Sequence, residues 1–96
     1  MKRQFTLPVA HVNYTVRFRK VVKYNGKSVH GLCDPVDRVI LIELKPNVEF
    51  MRQTIWHEFF HAFICEVYKT YDGVDETMTE KIADAVMRVR ADVPWL

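Results

Sequence analysis

The spacing of apolar residues changes at Pro46, and that change limits what the chain can fold into. From Val12 to Tyr24 the even positions read Val, Tyr, Val, Phe, Lys, Val, Tyr, while Thr15, Arg17 and Arg19 hold the odd face. Side chains alternate across a strand, so this period of two predicts a half-buried strand over 12–24. It runs into Asn25-Gly26, two residues that tolerate positive φ and favour a tight hairpin turn. A second strand over 27–33 returns antiparallel, and Asp34-Pro35-Val36-Asp37 reads as a turn. Val39-Ile40-Leu41-Ile42-Glu43-Leu44 then supplies a third strand, 38–45, stopped by Pro46. Beyond Pro46 helix formers take over. One helix is expected over 47–71, with Asn47 as its N-cap and Asp72-Gly73 as its breaker. Another, over 75–92, aligns Met78, Ile82, Ala85, Val86 and Val89 on one face and is closed by Pro94. Strands first and helices after predict an α+β fold: a small antiparallel three-stranded sheet followed by two helices, one domain over residues 1–96.

Composition narrows the class of protein. The chain has 96 residues, 49% of them apolar, which suits a globular domain with a small core and argues against disorder. Two cysteines, Cys33 and Cys65, are too few for a disulfide-stapled secreted scaffold. No apolar run reaches the roughly 18 residues of a membrane span, and none follows the basic start as in a signal peptide. These features lead us to expect a cytoplasmic domain with reduced thiols and no membrane partner. The length argues against a deep pocket built from many elements. The net charge of +2 hides an asymmetry: residues 1–45 carry nine Lys or Arg against three acids, a balance of +6, and the remainder stands at −4. Because the basic residues alternate with apolar ones, a solvated sheet face is the first expectation and an anionic partner such as nucleic acid the second.

Chemistry enters with His57-Glu58-Phe59-Phe60-His61 on the first helix. Residues four apart stack on one helical face, so His57 and His61 can offer two imidazole nitrogens to one ion at about 2.0–2.1 Å, the reach zinc requires. Glu58 lies about 100° round the helix, close enough to reach a water at the metal without ligating. In such H-E-x-x-H sites the metal acidifies water and polarises a carbonyl, and the glutamate takes the proton. The motif is embedded in Ile55, Trp56, Phe59, Phe60, Ala62, Phe63 and Ile64, so the helix is apolar nearly all round. Two histidines and a glutamate are costly in such surroundings unless an ion satisfies them.

A catalytic zinc usually takes three protein ligands and leaves one position open. The other histidines, His11 and His30, both precede the motif. The acidic candidates after it are Glu66, Asp72, Asp75, Glu76, Glu80 and Asp84. Glu66 points away from the His57–His61 line. Glu76 and Glu80 lie on the second helix, where Glu80, Asp84, Met87 and Ala91 form a stripe that would face the zinc helix while the main apolar stripe faces the sheet.

The motif followed by Glu80-Lys81-Ile82-Ala83-Asp84 resembles the gluzincin arrangement, and more narrowly the minimal IrrE/ImmA-like metallopeptidases and their short phage-borne relatives. The similar stretch runs from about His30 to Pro94. It takes in Gly31-Leu32-Cys33-Asp34, the apolar strand 39–44, Thr54-Ile55-Trp56 and the Glu76…Glu80…Ala83 helix. The resemblance implies a minimal zincin-like domain with zinc held by His57, His61 and Glu80, Glu76 being the alternative third ligand. It further implies Glu58 as general base and Asp84 as support to a histidine ligand. Larger members carry an appended DNA-binding domain and further helices that these 96 residues do not contain.

The leading expectation is therefore a zinc-dependent metallopeptidase-like protein acting on a peptide or protein. The alternative is a zinc-stabilised binding module without turnover, phage-encoded and directed at a host protein or nucleic acid. In zincin-like folds an edge strand beside the active helix pairs with extended substrate, and strand 27–33 and strand 39–44 are both candidates. His30, Tyr68 and Tyr71 are candidates to stabilise an oxyanion. Cys33 is expected to be a buried free thiol rather than a ligand.

Overall fold

The structure, a computed structural model, describes residues 4–68 and 76–96, with the backbone alone for residues 76–81, 83 and 84. Its elements are β1 (Gln4–Val9), β2 (Val12–Arg19), β3 (Lys23–Tyr24), β4 (Lys27–Ser28), β5 (Gly31–Asp34), β6 (Val39–Glu43), α1 (Val48–Tyr68) and α2 (Glu76–Asp92). The fold is α+β, as the change of period at Pro46 requires.

The main sheet has four strands in the order β1-β2-β6-β5, not three. The added strand, β1, precedes the first strand expected from the sequence and pairs antiparallel with β2 from Gln4↔Arg17 to Val9↔Val12. Pro8 within β1 and a turn at Ala10, which takes a φ of 53°, conceal this hairpin, because neither residue is a usual hairpin signal. The sheet is also mixed: β2 and β6 run parallel with Val16↔Ile40 and Phe18↔Ile42 in register, while β5 pairs antiparallel with β6. The strand expected over 12–24 ends at Arg19, where Leu44 N donates to the Arg19 carbonyl at 2.8 Å and β6 runs out. Residues 23–28 form a separate two-stranded hairpin, its turn at Asn25 (φ 52°) and Gly26 (φ 77°), so the strand expected over 27–33 also divides in two.

One face of the sheet carries the core. Leu7, Val9, Tyr14, Val16, Ile40 and Ile42 are fully buried there, and α1 covers them with Met51, Ile55, Phe59, Ala62 and Phe63. On α2, Val89 is buried and Ile82, Ala85 and Val86 pack against the same core, which is the face expected of them. Met87 and Ala91, at the far end of the second α2 stripe, are exposed, so that end of the stripe does not pack on α1. Among the described residues no helix is long and apolar enough to cross a membrane.

Candidate metal centre

Asn47 starts α1 by accepting a hydrogen bond from Phe50 N on its Oδ1 at 3.1 Å, satisfying an amide the first turn leaves free. From that start the helix carries His57, Glu58 and His61 past the end of β5. The two Nε2 atoms lie 3.1 Å apart and the rings meet edge to face at 4.7 Å. Two nitrogens each 2.0–2.1 Å from one tetrahedral ion sit about 3.3 Å apart, so the pair is already set near the spacing zinc needs. Together with a Glu58 carboxylate oxygen, one ligand atom from each residue falls within 4.8 Å of the others. Glu58 Oε2 stands 4.0 Å from His57 Nε2, outside hydrogen-bond range.

The three side chains differ in exposure. His57 is open to solvent, His61 is half-buried, and Glu58 is buried with 6% of its surface accessible. Burial raises the Glu58 carboxyl pKa above its ordinary value, and His61 and His57 oppose the shift. A carboxylate so placed is a better proton acceptor than a solvated one.

Gly31 lies against the buried Glu58 side chain. It faces α1 from the edge of the sheet, and a Cβ there would stand 2.7 Å from Thr54 Cγ2 and 2.9 Å from Glu58 Cγ. Only glycine lets the strand lie this close to the helix. The cleft so formed has a volume of about 350 Å³ and is lined by His30, Gly31, Phe50, Gln53, Thr54, His57 and Glu58. At its His30 wall, His30 Nδ1 meets Glu43 Oε1 at 3.1 Å, and Lys45 Nζ meets the same oxygen at 2.9 Å. Lys45 and His30 together hold the Glu43 carboxyl below its usual pKa.

The sheet also settles which strand has an open edge. Among the described residues β6 is interior, flanked by β2 and β5, so of the two candidate segments only β5 ends the sheet. Glu43 N donates to the His30 carbonyl at 2.9 Å, and pairs alternate along an antiparallel ladder. Leu32 and Asp34 therefore turn their backbone groups to β6, whereas those of Gly31 and Cys33 turn to the open edge.

Other expected residues fall elsewhere. Glu66 lies apart from the histidine pair; it is buried, accepts from Tyr14 Oη at 2.8 Å and meets Arg38 Nε at 3.4 Å. Burial, reinforced by that bond to Glu66, pushes the Tyr14 hydroxyl pKa well up. Cys33 is a half-buried free thiol whose pKa is pushed up to about 12, first by burial and next by Glu58, and it is not among the grouped ligand atoms. The side chains of Glu76, Glu80 and Asp84, and all of Tyr71, lie outside the described residues. Two features of the site are not evident from motif spacing: Gly31 and the His30–Glu43–Lys45 chain. A glycine at an inward strand position is the available signal for the first. No family model matches the chain, and neither a curated protein nor a solved structure does.

Proposed function

We propose that the chain is a zinc-dependent metallopeptidase-like protein that hydrolyses peptide bonds in an extended substrate. The observation that carries this reading is the grouping of one ligand atom each from His57, Glu58 and His61 within 4.8 Å, with His57 and Glu58 lining a cleft beside the strand edge of β5. On this reading His57 and His61 hold the metal together with an acidic third ligand, for which Glu80 is the choice and Glu76 the alternative. When bound, zinc supplies Lewis acidity toward a water and toward the scissile carbonyl. The residues of the chain do the rest. The outward N–H and C=O groups of Gly31 and Cys33 pair with an extended peptide and bring one of its carbonyls over the cleft. Glu58, made more basic by burial, takes the proton of the attacking water and passes it to the leaving amine. His30 lines the cleft with Nδ1 3.1 Å from Glu43 Oε1, and when both of its ring nitrogens carry protons it can donate to the carbonyl oxygen.

Metal content and turnover test separate halves of the proposal. The purified protein, after zinc addition and gel filtration, is expected to retain one zinc per chain, and H57A/H61A to retain none. Cleavage of a diverse peptide pool, read by mass spectrometry, is expected for wild type and to fall at least 100-fold in E58Q. Absence of stoichiometric zinc would sink the metal site. Equal cleavage by wild type and E58Q would sink the catalytic role.

A further inference from the structure

We propose that the β3–β4 hairpin, with the end of β2 that leads into it, is a binding surface for single-stranded nucleic acid. The charge distribution comes first. No acid precedes Asp34 in the chain, whereas residues 1–33 contain seven Lys or Arg. Among the described residues Arg19, Lys20, Lys23 and Lys27 are exposed and take part in no ion pair. Arg19 is in register with Glu43, but that carboxylate is already held by His30 and Lys45.

Geometry adds an aromatic platform. The hairpin turns through Asn25 and Gly26, both at positive φ, which is the pre-formed turn that suits two twisted strands. It pairs Tyr24 directly with Lys27, so both side chains project from one face, and Lys23 projects from the other with Ser28. Tyr24 is 57% exposed although a large ring gains by being covered. An exposed ring with the Lys27 ammonium on its own face, Lys23 on the other face of the hairpin, and Arg19 and Lys20 in the segment leading into it combines base stacking with phosphate neutralisation. An acidic peptide satisfies the cations but leaves the ring without a flat partner. A duplex keeps its base faces inside. A single strand offers both groups at once. This surface is distinct from the metal cleft, and the proposal stands or falls without it.

Fluorescence anisotropy with labelled 12-mer oligothymidylate and oligouridylate tests the proposal on the full chain. Binding to at least one is expected at 50 mM salt, weakening as salt rises with a log–log slope of about −0.7 per phosphate contact. K23E/K27E is expected to abolish most binding, and K27A to reduce the slope by about 0.7. Y24A is expected to weaken binding about 5- to 100-fold with the slope unchanged, and Y24F to restore it. E58Q is expected to bind as wild type does, which separates this surface from the peptidase reading. Circular dichroism confirms that each variant is folded. The proposal is overturned if neither oligonucleotide binds, if Y24A binds as wild type does, or if polyglutamate or a 12-base-pair duplex competes as well as the single strand.

Discussion

Replacing Gly31 by alanine adds one methyl group where β5 lies close against α1, and the local distances set its cost. The new Cβ would stand 2.7 Å from Thr54 Cγ2 and 2.9 Å from Glu58 Cγ. Carbon atoms in contact prefer about 3.5–4.0 Å, so the neighbours must retreat by about 1 Å. Neither can do so freely. Thr54 Oγ1 donates to the Phe50 carbonyl at 3.0 Å, which fixes its rotamer, and Glu58 is buried. Gly31 has an ordinary negative φ, so alanine carries no backbone strain and gains about 0.4–1 kcal/mol by restricting the unfolded chain. Overpacking costs about 1–3 kcal/mol. The net loss is then about 1–2 kcal/mol, a fall in Tm of about 5–15 °C for a chain this size. Thr54→Ser removes the nearer clashing atom and keeps the hydroxyl, so G31A/T54S should recover about half of the loss. Urea unfolding of wild type, both single variants and the double variant at pH 7 gives the coupling energy directly. A G31A protein as stable as wild type, or a double variant no better than the sum of its parts, would refute the close-approach argument.

Two further predictions concern the buried interior. In metal-free protein lacking Cys65, the Cys33 thiol should react with iodoacetamide at pH 8 about three orders of magnitude more slowly than in urea. Its pKa is raised from 9.0 to about 12, and only the thiolate attacks. The rate should climb tenfold per pH unit up to the highest pH at which the fold survives, and native and unfolded rates within threefold of each other would contradict the burial. Tyr14→Phe removes the donor to the buried Glu66 carboxyl and should cost about 1–3 kcal/mol, measured as a fall in Tm of about 10 °C. A change below 2 °C would show that the bond contributes nothing.

The parts of the fold visible in the sequence are those encoded within a few residues. Alternation from Val12 onward places Tyr14, Val16 and Phe18 inward, Asn25-Gly26 marks a real turn, and Asn47 caps α1 as its side chain suggests. The parallel pairing of β2 with β6 joins segments more than twenty residues apart and leaves no local pattern to read. β1 is hard to see in the sequence because its hairpin uses Ala10 in a conformation usually reserved for glycine or asparagine. The candidate site divides in the same way. His57, Glu58 and His61 share one helix, so spacing alone brings them together. Gly31 and His30 join them only because β5 packs across α1, a tertiary contact on which sequence spacing is silent.

The shortness of β5 has a kinetic consequence. Only Gly31 and Cys33 turn their backbone groups outward, which offers a visiting strand two donors and two acceptors. At about 0.5–1.5 kcal/mol net each, four hydrogen bonds give at most about 6 kcal/mol before the entropy of immobilising a flexible chain is subtracted. Such a grip corresponds to dissociation constants near millimolar and to brief residence. An edge this short lets go of what it holds, including another copy of itself, and leaves persistence to whatever side chains a visitor can seat beside His30 and Phe50.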